Sequence, residues 1–382
     1  MKRVVIVTLV LALAVSLGAC AGKPAEKPTV KIGVQEALTG DWAYEGQGIL
    51  NAVQMLADQV NQAGGLLDGR QVEIIPGDNK SDAKESALSA QKLINSGVVA
   101  VIGSYGSTVT EAAQKLYDEK GIVHVATAST AVRLTEHGFK RFFRVCPSDD
   151  KQSYTAADLI VKGLGYKKVA VVHDNTTYAK GLADWTKKYL EEMGATVVLF
   201  DALTPKEKDY GAILTKVKNA QPEVFFYAGY YPEAALLLRQ MVDIGLKVPL
   251  VTDDAANNPE LVRLAGVEFA KGTLIVTPPQ PADLQYPEAK KFMDDFKAKY
   301  GKAPESIWHC MGADAFRVIV EAVKKTNSDD PAKIADYLHQ ELKDFPGVTG
   351  PIPGFDEKGE RTGSAYHVYV VNDKGEIVPY TK

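Results

Sequence analysis

Five short stretches carry the side chains best suited to hold a small zwitterion, and each follows an apolar run. Gly103-Ser104-Tyr105-Gly106-Ser107-Thr108 comes after Val98–Ile102, and Thr127-Ala128-Ser129-Thr130 comes after Ile122–Ala126. His173-Asp174-Asn175-Thr176-Thr177-Tyr178 follows Val169–Val172, Ala228-Gly229-Tyr230-Tyr231 follows Val224–Tyr227, and Thr252-Asp253-Asp254 follows Pro249–Val251. Hydroxyls and backbone N–H groups entering a helix suit a carboxylate. An Asp suits an ammonium, and aromatics suit a side chain. For the first stretch a plainer role stays open, in which Ser107 or Thr108 only caps a helix.

Catalytic signatures are missing from the same stretches. The sequence contains no G-x-x-x-x-G-K-[ST], no G-x-G-x-x-G after a strand, no H-E-x-x-H and no G-x-S-x-G. The six His residues are scattered, and only His173 follows one of the strands in question. Nothing pairs it with a nucleophile, so a local hydrogen bond is its expected role. No His and Cys residues stand at metal-site spacing, and no cofactor is implied.

The elements that must position these stretches alternate between two kinds. Short continuous apolar runs, with strands expected from Val30 to Gln35 and from Arg70 to Pro76, are separated by amphipathic stretches. Ile49, Val53, Leu56 and Val60 recur at helical spacing, and Ser81 is placed to cap the next helix. Continuous runs rather than alternation indicate strands buried on both faces, which is the parallel α/β arrangement. The pattern breaks at Arg144–Asp149, restarts, and reaches a second break at Thr273–Pro281. Helices then follow near Pro287–Tyr300, Ser306–Lys325 and Asp330–Gln340, and Tyr366–Val371 with Glu376–Pro379 reads as a hairpin. Two α/β lobes result, each with a parallel sheet. Such sheets bind ligands at the carboxyl ends of their strands, so two facing edges frame one cleft. Hinge closure would enclose a small molecule there.

The 382-residue chain opens with Lys2-Arg3, an apolar run from Val4 to Val15, then Leu17-Gly18-Ala19-Cys20. That is the pattern of a secretory signal over residues 1–19, too short for a membrane span. The last four residues resemble a lipobox, which implies acylation of Cys20 and a membrane surface location. Residues 21–30, AGKPAEKPTV, form a tether. Loss of Lys2 and Arg3 with the signal takes the net charge from −4 to −6. A nucleic-acid binder normally carries a basic excess, so that class is set aside. The exported location permits a bridge between Cys146 and Cys310, although the apolar helical pattern around Cys310 equally suits simple burial.

Taken in order, further stretches resemble the leucine/isoleucine/valine-binding family, the type I solute-binding proteins that serve ABC importers. They are Ala37-Leu38-Thr39-Gly40, Asn61-Gln62-Ala63-Gly64-Gly65, Val101-Ile102-Gly103, Thr130-Ala131-Val132-Arg133-Leu134-Thr135, Val172-His173-Asp174 with Tyr178-Ala179-Lys180-Gly181, and Gly229-Tyr230-Tyr231-Pro232-Glu233. The resemblance implies two lobes joined by three crossings, near residues 144–147, 275–280 and 363–368. Residues 30–145 plus 279–365 would form the N-terminal lobe, and 146–278 plus 366–382 the C-terminal lobe, after a tether at 20–29. It further implies Ser107 on the ligand carboxylate, the Ala128 carbonyl and Thr130 hydroxyl on the head group, Tyr178 and Tyr230 from the second lobe, and Asp254 on the ammonium.

Trp42, Tyr44 and Tyr105 mark departures from the family pattern. Glu45 rather than Tyr precedes Gly46, and Tyr105 stands where an aliphatic residue usually lines the pocket. Those aromatics either contact the ligand or pack the cleft wall. The implied function is capture of an amino acid, branched-chain or otherwise apolar or aromatic, by a monomeric, lipid-anchored protein that hands it to a permease. Alternatives are a sensory receptor, a binder of an acid or amide lacking the ammonium, or an enzyme of unfamiliar pattern.

Overall fold

The computed structural model describes residues 27–363 and 365–381. The signal segment and Cys20 lie outside the described residues. The first α/β run comprises β1 (Val30–Glu36), α1 (Ala43–Gln62), β2 (Val72–Asp78), α2 (Ala83–Asn95), β3 (Ala100–Ile102), α3 (Ser107–Glu119), β4 (Val123–Ala126) and β5 (Phe142–Arg144). Its sheet is wholly parallel in the order β2-β1-β3-β4-β5. All three residues of β3 and all four of β4 are buried, which explains their unbroken apolar character.

The second run begins with α4 (Asp149–Asp158). It continues through β6 (Lys168–His173), α5 (Thr177–Glu192), β7 (Thr196–Ala202), α6 (Gly211–Asn219), β8 (Val224–Ala228), α7 (Tyr231–Asp243) and β9 (Leu250–Thr252). It closes with α8 (Pro259–Ala265), α9 (Val267–Ala270) and β10 (Leu274–Thr277). The parallel part of its sheet runs β7-β6-β8-β9-β10. Counted from its own first strand, that is the same 2-1-3-4-5 order as the first sheet. In each sheet the order reverses between the first and third strands, where two loops diverge and leave a crevice.

The chain then returns to the first run. Helices α10 (Pro287–Tyr300), α11 (Ile307–Thr326) and α12 (Pro331–Gln340) follow, and α11 lies along α1. Gly48 lets those helices meet, because a Cβ there would fall 2.0 Å from His309 Nε2. A small ribbon of β11 (Phe345–Gly347) and β12 (Gly350–Ile352) precedes β13 (His367–Val371) and β14 (Ile377–Pro379). The last two strands extend the second sheet beyond β10, β13 antiparallel to β10 and β14 antiparallel to β13, so that sheet is mixed.

Two local expectations are corrected. Asp82, not Ser81, caps α2, its carboxylate accepting from the Lys84 and Glu85 N–H groups. Ser81 has a positive φ of 56° and its Oγ instead accepts from the Trp42 N–H at 3.1 Å. Asp82 wins because its extended backbone suits a cap, whereas Ser81 is already turned left-handed. Cys146 and Cys310 are both buried and free, so the permitted bridge does not form.

Candidate functional site

The loops after β1, β3 and β4 face those after β6, β8 and β9. Trp42, at the entry to α1, stacks on Tyr230 of the opposite lobe with ring centroids 4.3 Å apart. Tyr105 meets both rings edge-on at 5.9 Å, and Tyr178 lies 5.5 Å from Tyr230. Trp308 on α11 backs Tyr105 at 6.2 Å. These five rings, from both lobes, are all buried.

Asp254 sits below this aromatic wall and is fully buried. Its carboxylate accepts from the Tyr178 hydroxyl at 2.7 Å and the Tyr366 hydroxyl at 3.3 Å. Burial pushes its pKa up to about 7, against the opposing pull of those two hydroxyls. Its neighbour Asp253 is spent on structure. It accepts from the Gly229 N–H at 2.7 Å and the Ala256 N–H at 3.2 Å, pinning the loops after β8 and β9 together.

The first lobe supplies neutral groups. Gly106 is the N-cap of α3 and adopts φ 96°. A Cβ there would fall 2.6 Å from Trp42 Cζ3, so only glycine fits between the backbone and the indole. Ser107 does not cap α3; its Oγ accepts from the Ala131 N–H at 3.2 Å. Thr108 Oγ1 accepts from the Thr177 N–H across the cleft at 3.0 Å. Ala128 pairs with Tyr105 in an isolated bridge, beside Thr130. Buried Arg144 holds that loop, donating to the Ser129 carbonyl at 3.2 Å and the Ala131 carbonyl at 2.9 Å while pairing with Glu360. Ser107, Ala128 and Thr130 thus stand on the first lobe's loops and Tyr178, Tyr230 and Asp254 on the second's, with Trp42 and Tyr105 in aromatic contact with Tyr230.

Tyr44 stands apart. Its hydroxyl donates to Glu305 at 2.9 Å and its ring lies 5.8 Å from His309. His173 is turned to its own loop, where Nδ1 accepts from the Asn175 N–H at 3.0 Å.

Several residues that join the lobes have no role assigned from sequence. Glu45 accepts from Asn258 Nδ2 across the lobes at 2.6 Å, and Tyr231 donates to the Asp41 carbonyl at 2.6 Å. Lys206 pairs with Asp41 at 2.9 Å. Tyr366 comes from the last crossing, far in sequence from Asp254. Of these, sequence marks Glu45 only as a departure from the family pattern and Tyr231 only as part of the stretch after β8. Together these bonds hold the lobes in contact.

Comparison with known proteins bears on the family and the fold. Residues 29–376 match the family described as periplasmic binding protein. An amino acid binding protein of Pseudomonas aeruginosa is 34% identical over 352 residues, covering 91% of each chain. The leucine-, isoleucine-, valine-, threonine- and alanine-binding protein of the same organism is 33% identical over 341 residues, covering 89% of each. Among solved structures, a leucine-binding protein from Thermotoga maritima superposes with a TM-score of 0.86 at 30% identity, covering 92% of this chain and 98% of that one.

Proposed function

The chain belongs to the periplasmic binding protein family, whose members bind solutes and are not enzymes, and from that premise we propose that it captures an α-amino acid with an apolar or aromatic side chain and delivers it to an ABC importer. The carrying observation is Asp254: a buried carboxylate, raised to about 7, facing two tyrosine hydroxyls under an aromatic wall. The ammonium would sit on Asp254, and the carboxylate on the Ser107 hydroxyl and nearby N–H groups. The Ala128 carbonyl and Thr130 hydroxyl would complete the head-group contacts. Trp42, Tyr105, Tyr178 and Tyr230 would enclose the side chain. Relatives that bind leucine and alanine alike support the same head-group recognition with a variable side chain.

Residues 30–145 plus 279–365 would move as one lobe and 146–278 plus 366–382 as the other, with Cys20 acylated and the protein monomeric at the membrane. Among the described residues no helix is long and apolar enough to cross a bilayer.

A thermal-shift screen of the chain lacking residues 1–19, against the twenty amino acids and small aromatic and amide acids, tests the proposal. A ligand that binds only the native state adds ~2.7 kcal/mol at a hundredfold excess over Kd. Shifts with amino acids of one side-chain class are expected. Shifts only with acids lacking the amino group would overturn the assignment of Asp254.

A further inference from the structure

Sequence leaves Trp42 and Tyr105 two roles, contact with the ligand or packing of the cleft wall. The structure shows how much space they occupy. The Trp42 indole and the Tyr230 ring are stacked, with 4.3 Å between centroids and 25° between planes. Flat rings at that separation are in van der Waals contact, and no side chain passes between them. Tyr105 spans the gap between the lobes. Its backbone N–H donates to the Glu36 carboxylate at 2.7 Å in the first lobe, and its hydroxyl lies 3.5 Å from the Ala255 carbonyl in the second. The phenol therefore ends one residue along the loop from Asp254, on which the proposed ammonium would rest.

Neither ring is free to step aside. The Gly106 backbone presses on the indole, since a Cβ there would fall 2.6 Å from Trp42 Cζ3, and the Trp42 N–H donates to Ser81 Oγ at 3.1 Å. Buried Trp308 of α11 backs Tyr105, with centroids 6.2 Å apart. Tyr178 is fixed by its 2.7 Å bond to Asp254, and its ring lies 5.5 Å from Tyr230. Protein interiors are packed as densely as organic crystals, so each methylene pushed into this cluster displaces a ring or forces it off its rotamer.

We infer that Trp42 and Tyr105 set the size limit of the site, and that its ligand is an α-amino acid whose side chain has at most about two heavy atoms. Alanine, serine and glycine fit that limit; leucine and phenylalanine exceed it. The inference rests on the amino-acid reading above and narrows it. Charge at Asp254 selects the amino acid, and the rings select the length of its side chain.

The test is calorimetric titration with L-alanine, L-leucine, L-phenylalanine and propanoate, which is alanine without its amino group. The wild type should bind alanine about a hundredfold more tightly than leucine or phenylalanine, because several methylenes of overpacking act together. Trp42→Ala and Tyr105→Leu should each narrow the ratio of alanine to leucine affinity about tenfold. Leucine affinity should rise while alanine affinity holds or falls. A merely structural role would lower both affinities together, and that result would overturn the assignment, as would an unchanged ratio in both variants. A wild type that binds leucine or phenylalanine as tightly as alanine would overturn the size limit and leave the amino-acid reading standing. Propanoate bound as tightly as alanine would overturn the amino-acid reading instead, and propanoate against 4-methylpentanoate would then decide the size limit. Binding of none of the four would overturn both. Should a truncated variant fail to fold, Trp42→Phe keeps a smaller ring, and the same rise in leucine affinity is required of it.

Discussion

The two sheets share a strand order, 2-1-3-4-5, and present the same switch point to the cleft. Their cleft-facing loops nevertheless carry opposite chemistry. The first lobe offers Gly106, Ser107, Ala128 and Thr130: small residues, N–H groups and hydroxyls, with no net charge. The second offers Asp254, Tyr178 and Tyr230. On the proposed reading a zwitterion would place one end on each edge. Neither edge alone would neutralise it, so binding and lobe contact would depend on each other. Closure then removes water from the charges and strengthens every contact between them.

The sharpest way to break this division is to remove the second lobe's charge. Asp254→Asn is expected to weaken amino-acid binding a hundredfold or more, since stripping one partner from a buried charge pair costs ~3–5 kcal/mol. Calorimetric titration of the folded variant measures it, and an affinity within threefold of wild type would show that the ammonium lies elsewhere.

Damage to the neutral lobe should be smaller. Gly106→Ala forces a Cβ toward the Trp42 ring at a backbone φ of 96°. About a tenfold loss of affinity with a lowered Tm is expected, because both the loop and the indole must shift. Equal loss in Gly106→Ala and Asp254→Asn would erase the distinction between the two edges.

Buried carboxylates in both lobes also predict a pH dependence of the unliganded protein. Burial raises Asp254 and Asp174 to about 7 and Glu36 to about 8. Each holds a proton in the fold that the unfolded chain has already lost. Their stabilising contribution is complete below the unfolded carboxylate pKa of ~4 and disappears as pH rises through 7 to 8. His124, lowered to about 4 by burial, acts in the opposite direction as pH falls below ~6.5. Thermal melts should therefore show higher stability at pH 6 than at pH 8, with bound amino acid narrowing the difference. A flat profile would mean that these carboxylates, Glu36 of the first lobe included, are already compensated.

The smallest effect is expected at the latch. Glu45→Gln keeps an acceptor for Asn258 but removes its charge. A two- to threefold change in affinity is expected by titration, together with an unchanged Tm, as exchange of one charged acceptor for a neutral one costs ~1 kcal/mol or less here. A larger loss would make lobe contact, rather than head-group charge, the main source of affinity.

Much of this was legible in the residues themselves. Val98–Ile102, Ile122–Ala126, Val169–Val172 and Val224–Tyr227 marked buried parallel strands because both faces of each must be apolar. The loops that follow them were legible because a strand end in such a sheet is where a side chain can leave the core. The start of α2 was misplaced by one residue, since Ser81 and Asp82 are both good caps and only backbone geometry separates them. Tyr44, near Trp42 in sequence, points to Glu305 instead of the aromatic wall. Helical spacing of two residues turns side chains to different faces.

Sequence alone determined the alternation of elements, the chemistry at the strand ends and the family, because these follow from local periodicity and from residue types in a fixed order. The tertiary structure decided which chemistry meets. Asp253 and Asp254 are adjacent in sequence, but one is spent on backbone N–H groups and the other faces the cleft. Tyr366 reaches Asp254 from 112 positions away, and Glu45 meets Asn258 across the lobes. Such pairings arise from how two sheets face each other, and that geometry is fixed by packing between distant segments rather than by anything a local pattern encodes.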